Sequence, residues 1–425
     1  MNLGSPSTGF DRSGLPALPA WRVRARSLLR YAKQLDIVML FAWVLGTTLP
    51  FGGLAPLRYA AAAYFAAALV LFVRQTLPTG LRAWPTLLIP VFCVVSALWA
   101  PSASDAIRKG ALFALTSVVA IYAASRLSGR NILIIYMLVE AIAAAFSAMS
   151  PSIDVNGAWT GIFGQKNPLA VNMFILYICS LALVLDKGAN RWFRLLALML
   201  VPVGLGIIVL AKSATTIILV VIGTAALLGH AFLWRPASRI RHMRLLLVMA
   251  GAVVILAAAL VLFGFMQFDV ANSILNALGK DSTLTGRTWL WETAERVMAE
   301  HPLTGVGADG FWRSEYGLAN SIIRYFDYEE YVKFSFHNSY LENGVAFGYP
   351  GYWATVFIAA WALWSAGMNW VRNQTTLNAA FLILGAMVIV RSTSEIDLAL
   401  EFSATSTLLY MGAARMNRRE TEPVR

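Results

Sequence analysis

The 425-residue sequence is poor in charge. Only 13% of its residues are Asp, Glu, Lys or Arg, whereas a typical soluble protein carries about 25%. Hydrophobic residues make up 58% of the chain, and the mean hydropathy is +0.64. Runs such as residues 245–265 are long enough to cross a hydrocarbon core of about 30 Å as a helix. These features argue against a soluble enzyme and predict an all-α, polytopic integral membrane protein.

Cysteine and histidine are also scarce, with 2 cysteines and 4 histidines. Cys93 and Cys179 fall inside apolar runs, as expected of small buried side chains, so we expect no disulfide framework. No HExxH motif or close cysteine pair accompanies the histidines, so we expect no metal site. Residues 305–310 match GxGxxG, but they follow a helix-like segment that ends at Pro302 and not a strand. We therefore expect a tight turn there and no cofactor.

Acidic residues are fewer than basic ones, 22 against 34, which gives a formal net charge of +12. Such an excess can indicate a nucleic-acid surface. Window hydropathy, however, predicts about twelve spans, and a cytoplasmic N-terminus then puts most Lys and Arg residues in cytoplasmic loops and tails. The basic excess follows the positive-inside rule with both termini cytoplasmic, and we expect no nucleic-acid partner.

The same pattern divides the chain into five parts. Three of the spans matter below: the third is expected near 83–100, the tenth near 349–367 and the twelfth near 398–414. The loops after spans five, seven and eleven are expected on the same side of the membrane as the one long polar loop. A long loop in an otherwise apolar chain is a candidate functional site. The parts are a basic cytoplasmic tail (1–34), transmembrane helices 1–9 (35–266), a large periplasmic loop (267–337), transmembrane helices 10–12 (338–414) and a cytoplasmic tail (415–425).

Arg287 opens a predicted amphipathic helix in the long loop. The helix is expected over residues 287–300 with Pro302 ending it, and its apolar face is expected to hold Leu290, Ala294, Val297 and Met298. Backbone N–H groups and a guanidinium at a helix start can converge on a phosphate. Arg287 is therefore a candidate anion-binding residue, and the alternative is an exposed loop arginine.

His337 lies where the loop re-enters the membrane, directly before Asn338 and about one helical turn before Glu342. An imidazole at such a place can act as a base for a sugar hydroxyl or as a donor to an anion. The alternative is a buried, hydrogen-bonded histidine. We take His337 as a candidate catalytic residue, with Asn338 and Glu342 as candidate substrate-binding residues.

Three further candidates lie in the shorter outer loops. Lys166 and Asn167 stand directly before Pro168 and place a cation and an amide at a predicted helix start. Lys212 lies after the seventh span, where the alternative is a membrane-anchoring lysine. Two acids inside predicted spans, Glu140 and Glu401, are expected to pair with Arg or Lys, the alternative being a direct role.

Four segments together resemble the Wzy-type O-antigen ligase and polysaccharide polymerase superfamily, and the first of them is most like the bacterial exopolysaccharide polymerases. The segments are 161–168 (GIFGQKNP), Gly286-Arg287 with Trp291, 302–307 (PLTGVG), and 337–341 (HNSYL) with Gly344, Gly348 and Gly351 following.

The resemblance implies a GT-C-like, metal-independent, inverting glycosyltransferase of the bacterial inner membrane, with a periplasmic site. Its donor would be an undecaprenyl-pyrophosphate-linked oligosaccharide. Arg287 matches the arginine that binds the donor diphosphate, and His337 matches the essential histidine, which activates the acceptor hydroxyl or holds the diphosphate. The family commonly has an arginine near the start of the eighth span, where the nearest cation here is Lys212. We expect Lys166, Asn167, Lys212, Asn338 and Glu342 to bind substrate.

The predicted function is polymerisation of lipid-linked repeats into exopolysaccharide. The alternatives are a ligase that moves the glycan to lipid A core or protein, and a lipid-linked sugar flippase. The expected partners are the donor, a glycan acceptor, the bilayer, and chain-length and export proteins.

Overall fold

The computed structural model describes residues 20–237, 240–243, 245–246, 249, 287–313, 317–325 and 334–415, with side chains from residue 32 on. These residues form helices and connections, with no strand beyond an isolated bridge between Ile153 and Trp159. The all-α prediction is confirmed. Most of the predicted ninth span (245–266), residues 267–286, 314–316 and 326–333 of the long loop, residues 1–19 of the first predicted tail and residues 416–425 of the second lie outside the described residues.

Three short 3₁₀ helices lie at Gly52–Leu54, Trp84–Leu87 and Gly161–Phe163. Fourteen α-helices have bounds within the described residues, and the ninth of them continues through a π-helical turn to Ala237. They are α1 (Ala20–Thr48), α2 (Ala55–Leu71), α3 (Val73–Arg82), α4 (Leu88–Ser96), α5 (Ala103–Arg126), α6 (Gly129–Met149), α7 (Lys166–Leu185), α8 (Arg191–Leu210), α9 (Ala214–Gly229), α10 (Arg287–Glu300), α11 (Gly317–Tyr325), α12 (Ser339–Arg372), α13 (Thr376–Arg391) and α14 (Ala404–Ala414).

Seven helical segments of the described chain are long and apolar enough to span a membrane, and a bent pair makes a candidate eighth. The protein is thus a multi-pass membrane protein, and the count of twelve spans stays a prediction. The second arm of the bent pair, Trp84–Ser96, lies within the third predicted span, 83–100, and meets the preceding helix α3 at 85°. Pro85 lies at this bend, and proline lacks the N–H that a continuing helix requires.

The helix ends fall on two faces of the bundle. The end of α1 and the starts of α7, α12 and α14 surround one cavity, and we call this side the cavity face. At the other end, which we call the opposite face, Arg126 at the end of α5 pairs with Asp36, and Arg130 in α6 pairs with Asp186. The loops predicted to lie on one side, after α6, α8 and α13, all reach the cavity face.

The long loop docks onto a break in α12. Helix α12 starts ten residues before the predicted tenth span and is interrupted at Gly348, whose φ is +69°. The break leaves the carbonyls of residues 345 and 346 free to accept hydrogen bonds from the N–H groups of Val306 and Gly307, both at 2.9 Å. Gly305 and Gly307 have φ of +60° and +86°, which favour glycine. The GxGxxG string is therefore a turn in the described chain, as predicted.

The predicted twelfth span, 398–414, is wrong in its first third. The helix α14 begins at Ala404, and residues 392–403 form a non-helical connection that folds back into the cavity face. Ala399 and Phe402 have positive φ values of +54° and +47°, which helix residues do not adopt. Ser403 caps α14 by accepting a hydrogen bond from the Ser406 N–H. The apolar residues of this connection gave it the hydropathy of a span.

Candidate active site

Helix α10 carries Arg287 to the cavity face. It spans Arg287–Glu300, as predicted, and ends before Pro302. The predicted apolar face is buried: Leu290, Ala294, Val297 and Met298 all lie in a cluster under the loop. Because α10 packs against α12 through this face, the arginine at its start is held beside the connection between α13 and α14.

Three of the candidate residues converge on one carboxylate, Glu395. Oε1 of Glu395 accepts hydrogen bonds from Nη2 of Arg287 at 2.9 Å and from Nδ2 of Asn167 at 2.7 Å. Oε2 lies 3.3 Å from Nδ1 of His337. Glu395 belongs to the connection 392–403, so the site joins α7, α10, the end of the long loop and this connection. We call these four residues the Glu395 hub.

The hub keeps Glu395 ionised. Burial opposes its ionisation, but the hydrogen bond with His337 and the charges of Arg287, His337 and Arg391 outweigh that effect and lower its pKa to about 2. A carboxylate with such a low pKa is a poor proton acceptor at neutral pH. Glu395 is therefore suited to orienting Arg287 and His337, and His337 is the better candidate base.

His337 is held by its neighbour Phe336. The Phe336 ring is fully buried, with ring centroids 4.8 Å from Phe311 and 4.7 Å from Trp312. Its carbonyl accepts a hydrogen bond from Nε1 of Trp291 at 3.0 Å. His337 itself has a φ of +48°, and such non-glycine conformations persist where the surroundings enforce them. The anchored Phe336 thus fixes the direction from which His337 enters the hub.

The hub borders a cavity of about 560 Å³, which we call the hub cavity. This volume is within the usual range of about 300–1,000 Å³ for small-molecule sites. Arg391 contributes a second, nearly buried cation, paired with Asp397 at 2.7 Å. Burial raises the pKa of Asp397 despite this arginine. The polar lining also includes side chains from α1, α7 and the start of α14: Thr47, Thr48, Gln165, Asn172, Ser403 and Thr405.

Lys166 and Lys212 do not line the hub cavity. Lys166 is the first residue of α7, and its half-buried side chain lies near Asp154. Lys212 is exposed, and its Nζ donates to the carbonyl of Asn156 at 3.4 Å. The neighbour of Lys212, Ser213, does reach the site, since its hydroxyl donates to Oδ1 of Asn167 at 3.4 Å.

Asn338 and Glu342 have clear positions in the loop framework. Asn338 caps α12, because its Oδ1 accepts from the N–H groups of Tyr340 and Leu341, while its Nδ2 donates to the Thr393 carbonyl. Glu342 accepts hydrogen bonds from Trp312 Nε1 and from the Phe336 N–H, both at 2.9 Å. Both residues thereby hold the segment around His337, and substrate binding by either stays a prediction.

Glu140 and Glu401 differ from each other. Glu140 is fully buried, and Oε1 accepts a 3.5 Å hydrogen bond from Thr48, which lines the hub cavity. The expected pairing of Glu140 with a cation is not seen among the described residues; the other oxygen has no hydrogen-bond partner there. Glu401 lies in the connection before α14 and is one of the acids whose charge acts on Lys109; its pairing with a cation stays a prediction.

The residues that sequence reasoning missed lie in one segment. Glu395, Arg391 and Asp397 are not among the predicted site residues, although residues 391–397 read RSTSEID between two apolar runs. The high density of polar residues in this short loop, on the same side as the long loop, could have identified it as part of the site. The sequence offers no way to see that Glu395 meets residues 108 and 228 positions away.

Comparisons with known proteins show two matches to this chain. A family model described as O-antigen ligase matches residues 195–356, a range that holds Arg287 and His337. The exopolysaccharide production protein ExoQ of Rhizobium meliloti (strain 1021) is 26% identical over 342 residues, which cover 77% of this chain and 75% of that protein. The chain is thus similar to the O-antigen ligase and polysaccharide polymerase superfamily.

This similarity supports an O-antigen ligase-like or exopolysaccharide-related enzyme. The hub combines residues inside and outside the matched family segment. Arg287 and His337 lie within 195–356, whereas Asn167 and Glu395 lie outside it. The site is therefore assembled from both halves of the chain.

Proposed function

We propose that this protein is an inner-membrane glycosyltransferase that polymerises undecaprenyl-pyrophosphate-linked oligosaccharide repeats into exopolysaccharide at a periplasmic site. The convergence of Arg287, Asn167 and His337 on Glu395 beside the hub cavity carries the proposal. The relative named for exopolysaccharide production supports a polymer product. The positive-inside distribution of Lys and Arg supports a periplasmic cavity face.

The proposed reaction is a displacement at the anomeric carbon of the donor. An acceptor hydroxyl oxygen forms a bond to C1 while the bond from C1 to the diphosphate oxygen breaks, and the electron pair of that bond leaves with the diphosphate. The hydroxyl proton passes to His337. Attack opposite the leaving group inverts the configuration at C1. Arg287 and Arg391, both lining the hub cavity, would stabilise the charge that develops on the diphosphate without a metal ion.

Glu395 has an orienting role in this scheme. With Nδ1 of His337 at 3.3 Å from Glu395 Oε2, the tautomer that carries its proton on Nδ1 is favoured. The lone pair for accepting the hydroxyl proton is then on Nε2. The carboxylate also stabilises the imidazolium that forms on proton uptake, an arrangement that catalytic histidines commonly use.

The pairing of Arg287 with Glu395 shapes donor binding. When a diphosphate binds, the Arg287 guanidinium can contact both the diphosphate and Glu395, because its five N–H groups can donate hydrogen bonds to two anions at once. Asn167 continues to donate to Glu395 Oε1 when Arg287 turns toward the diphosphate. The amide therefore limits the cost of drawing the arginine away from a buried carboxylate.

The test is deletion of the gene followed by complementation with Arg287→Ala or His337→Ala. We expect each variant to lose polymer and to accumulate lipid-linked repeats in the outer leaflet, with transfer by the purified protein reduced by about 10²–10⁴-fold. Arg296→Ala and His301→Ala are matched controls, since Arg296 is exposed on the same helix and His301 is exposed in the same loop. Normal polymer length with both site variants would refute the site assignment.

The second candidate is a ligase that transfers a finished glycan to lipid A core or to protein, and the description of the matched family model favours it. The acceptor separates the two. Diphosphate-linked chains that grow in length indicate a polymerase, whereas single-step capping of a different acceptor indicates a ligase. Disappearance of lipid-linked repeats from the outer leaflet in the deletion strain would instead indicate a flippase.

A further inference from the structure

A second cavity, of about 480 Å³, lies beside the hub cavity. We call it the loop cavity, because the long loop and the start of α5 form much of its wall. Four residues, Phe334, Ser335, Ile396 and Leu400, line both cavities. The two cavities therefore adjoin at the segment before His337 and the connection that carries Glu395.

The charges of the loop cavity are unlike those expected of a diphosphate site. Two of its cations are already paired: Lys109 bonds to Asp309, and Arg313 bonds to Asp105 at 3.0 Å. A third, Arg108, is exposed and lies 4.0 Å from Asp105. The lining also includes the carboxylates of Glu342 and Glu401, so four acids face three cations.

This lining suits a sugar. Carboxylates accept hydrogen bonds from hydroxyl groups, and charge-assisted bonds of this kind are stronger than neutral ones. Trp312 and Phe334 supply aromatic surface, while Asn320 and Asn343 supply amides. Apolar surface with a few placed polar groups is the usual make-up of a small-molecule site. A polyhydroxylated, largely uncharged ligand satisfies such a lining, whereas a diphosphate would be repelled by the acids.

The wall of the loop cavity also positions His337. Glu342 and Trp312 both line the cavity, and Glu342 accepts hydrogen bonds from Trp312 Nε1 and from the Phe336 N–H. Phe336 directly precedes His337 in the chain. A ligand held against Glu342 and Trp312 therefore lies next to the residue whose imidazole would take a hydroxyl proton.

We infer that the loop cavity binds the terminal sugar residues of the glycan acceptor, while the hub cavity takes the diphosphate-linked donor. This inference rests on the proposed function and adds to it the place of the second substrate. It makes Asp105 and Glu401 acceptor-binding residues. The acceptor hydroxyl then meets C1 of the donor beside His337, where the two cavities adjoin.

The test measures acceptor and donor kinetics separately. The full-length protein in lipid nanodiscs is given lipid-linked repeats extracted from the deletion strain as donor, and the oligosaccharide released from those repeats by mild acid as soluble acceptor. Glu401→Gln and Asp105→Asn keep side-chain size and remove one charge each. We expect each to raise the acceptor KM about tenfold, as the loss of one charged hydrogen bond does, and to leave the donor KM within about twofold.

Asp154→Asn is the matched control, because Asp154 is a carboxylate of another loop on the cavity face that lines neither cavity. Its acceptor KM should equal that of the unaltered protein. Should Asp105→Asn fail to fold after losing its bond to Arg313, Glu401→Gln alone carries the kinetic test. An unchanged acceptor KM in a folded Glu401→Gln protein overturns the inference while leaving the proposed function standing.

Binding of radiolabelled acceptor oligosaccharide to Arg287→Ala separates the two proposals further, since that variant should not turn over. We expect saturable binding that Glu401→Gln weakens about tenfold in the same background. Binding that Glu401→Gln leaves unchanged overturns the acceptor site. An unaltered protein that binds the oligosaccharide but never transfers from the lipid-linked donor refutes the proposed function instead.

Discussion

Two carboxylates, at opposite ends of the bundle, each receive three side-chain donors. On the opposite face, Asp36 accepts from the hydroxyls of Tyr64 and Tyr122 at 2.7 and 2.9 Å and from Nε of Arg126 at 3.3 Å. On the cavity face, Glu395 has Asn167, Arg287 and His337 around it. The numbers of partners match, but Asp36 is fully buried, whereas the Glu395 side chain is 15% exposed and borders the hub cavity.

This difference distinguishes a carboxylate with a structural role from one with a functional role in this bundle. The donors to Asp36 come from α2 and α5, which pack directly against α1, so the carboxylate joins three neighbouring helices. The donors to Glu395 come from a helix start, a loop helix and a loop end, and they face an open volume. We therefore expect substitutions at Asp36 to affect stability, and substitutions at Glu395 to affect activity.

The largest effect is expected for Asp36→Asn. Removing one partner of a buried ion pair costs about 3–5 kcal/mol, because the other charge is left buried. Arg126 keeps its hydrogen bond to Gln75, which favours the lower end of that range. The measurement is thermal unfolding of the purified protein in detergent, alongside transfer per folded molecule, which should stay within about twofold. Unchanged unfolding with lost transfer would reverse the comparison.

Glu395→Gln should reduce transfer by about 100-fold with a smaller loss of stability than Asp36→Asn. The amide no longer attracts the Arg287 guanidinium or stabilises a protonated His337, a role typically worth about 10²–10⁴ in rate for groups that assist proton transfer. Transfer from lipid-linked repeats and thermal unfolding are measured on the same preparation. A protein that unfolds as easily as Asp36→Asn yet transfers normally when folded would show that the hub is structural.

The contribution of Glu395 to the stability of the folded protein should depend on pH. The pKa of Glu395 is lowered from its ordinary 4.5 to about 2, so its ionisation favours the folded state above about pH 4.5, and this contribution is lost as the pH falls from there toward 2. The melting-temperature difference between the unaltered protein and Glu395→Gln should narrow as the pH falls below about 4.5. A difference that grows on acidification would contradict the assigned direction.

The smallest effect is expected for Lys212→Ala. The lysine is exposed, touches only a backbone carbonyl of the neighbouring loop among its described contacts, and does not line the hub cavity. Exposed charges contribute about 0–1 kcal/mol, so transfer should fall by about fivefold at most. Ser213→Ala is the comparison, since that hydroxyl contacts Asn167. A loss as large as that of Glu395→Gln would place Lys212 at the donor after all.

Local patterns explain which parts were predictable. Helix α10 and its buried face followed from apolar spacing, the turn at 305–310 from its glycines, and the helix bundle from hydropathy. Hydropathy failed where apolar residues are not helical, as in 398–403, and it did not show the bend between α3 and the segment Trp84–Ser96. A window average records composition and carries no information about backbone direction.

The sequence by itself determined that this chain is a helical membrane protein, that its polar loops gather on one side, and that Arg287 and His337 belong to them. Only the tertiary structure decided that Glu395 joins them to Asn167 and that Lys166 and Lys212 lie outside the cavity. The physical reason is distance along the chain. Periodicity and capping act over a few residues, whereas the hub depends on how α7, α10, α12 and α13 pack, and that packing is set by the whole core at once.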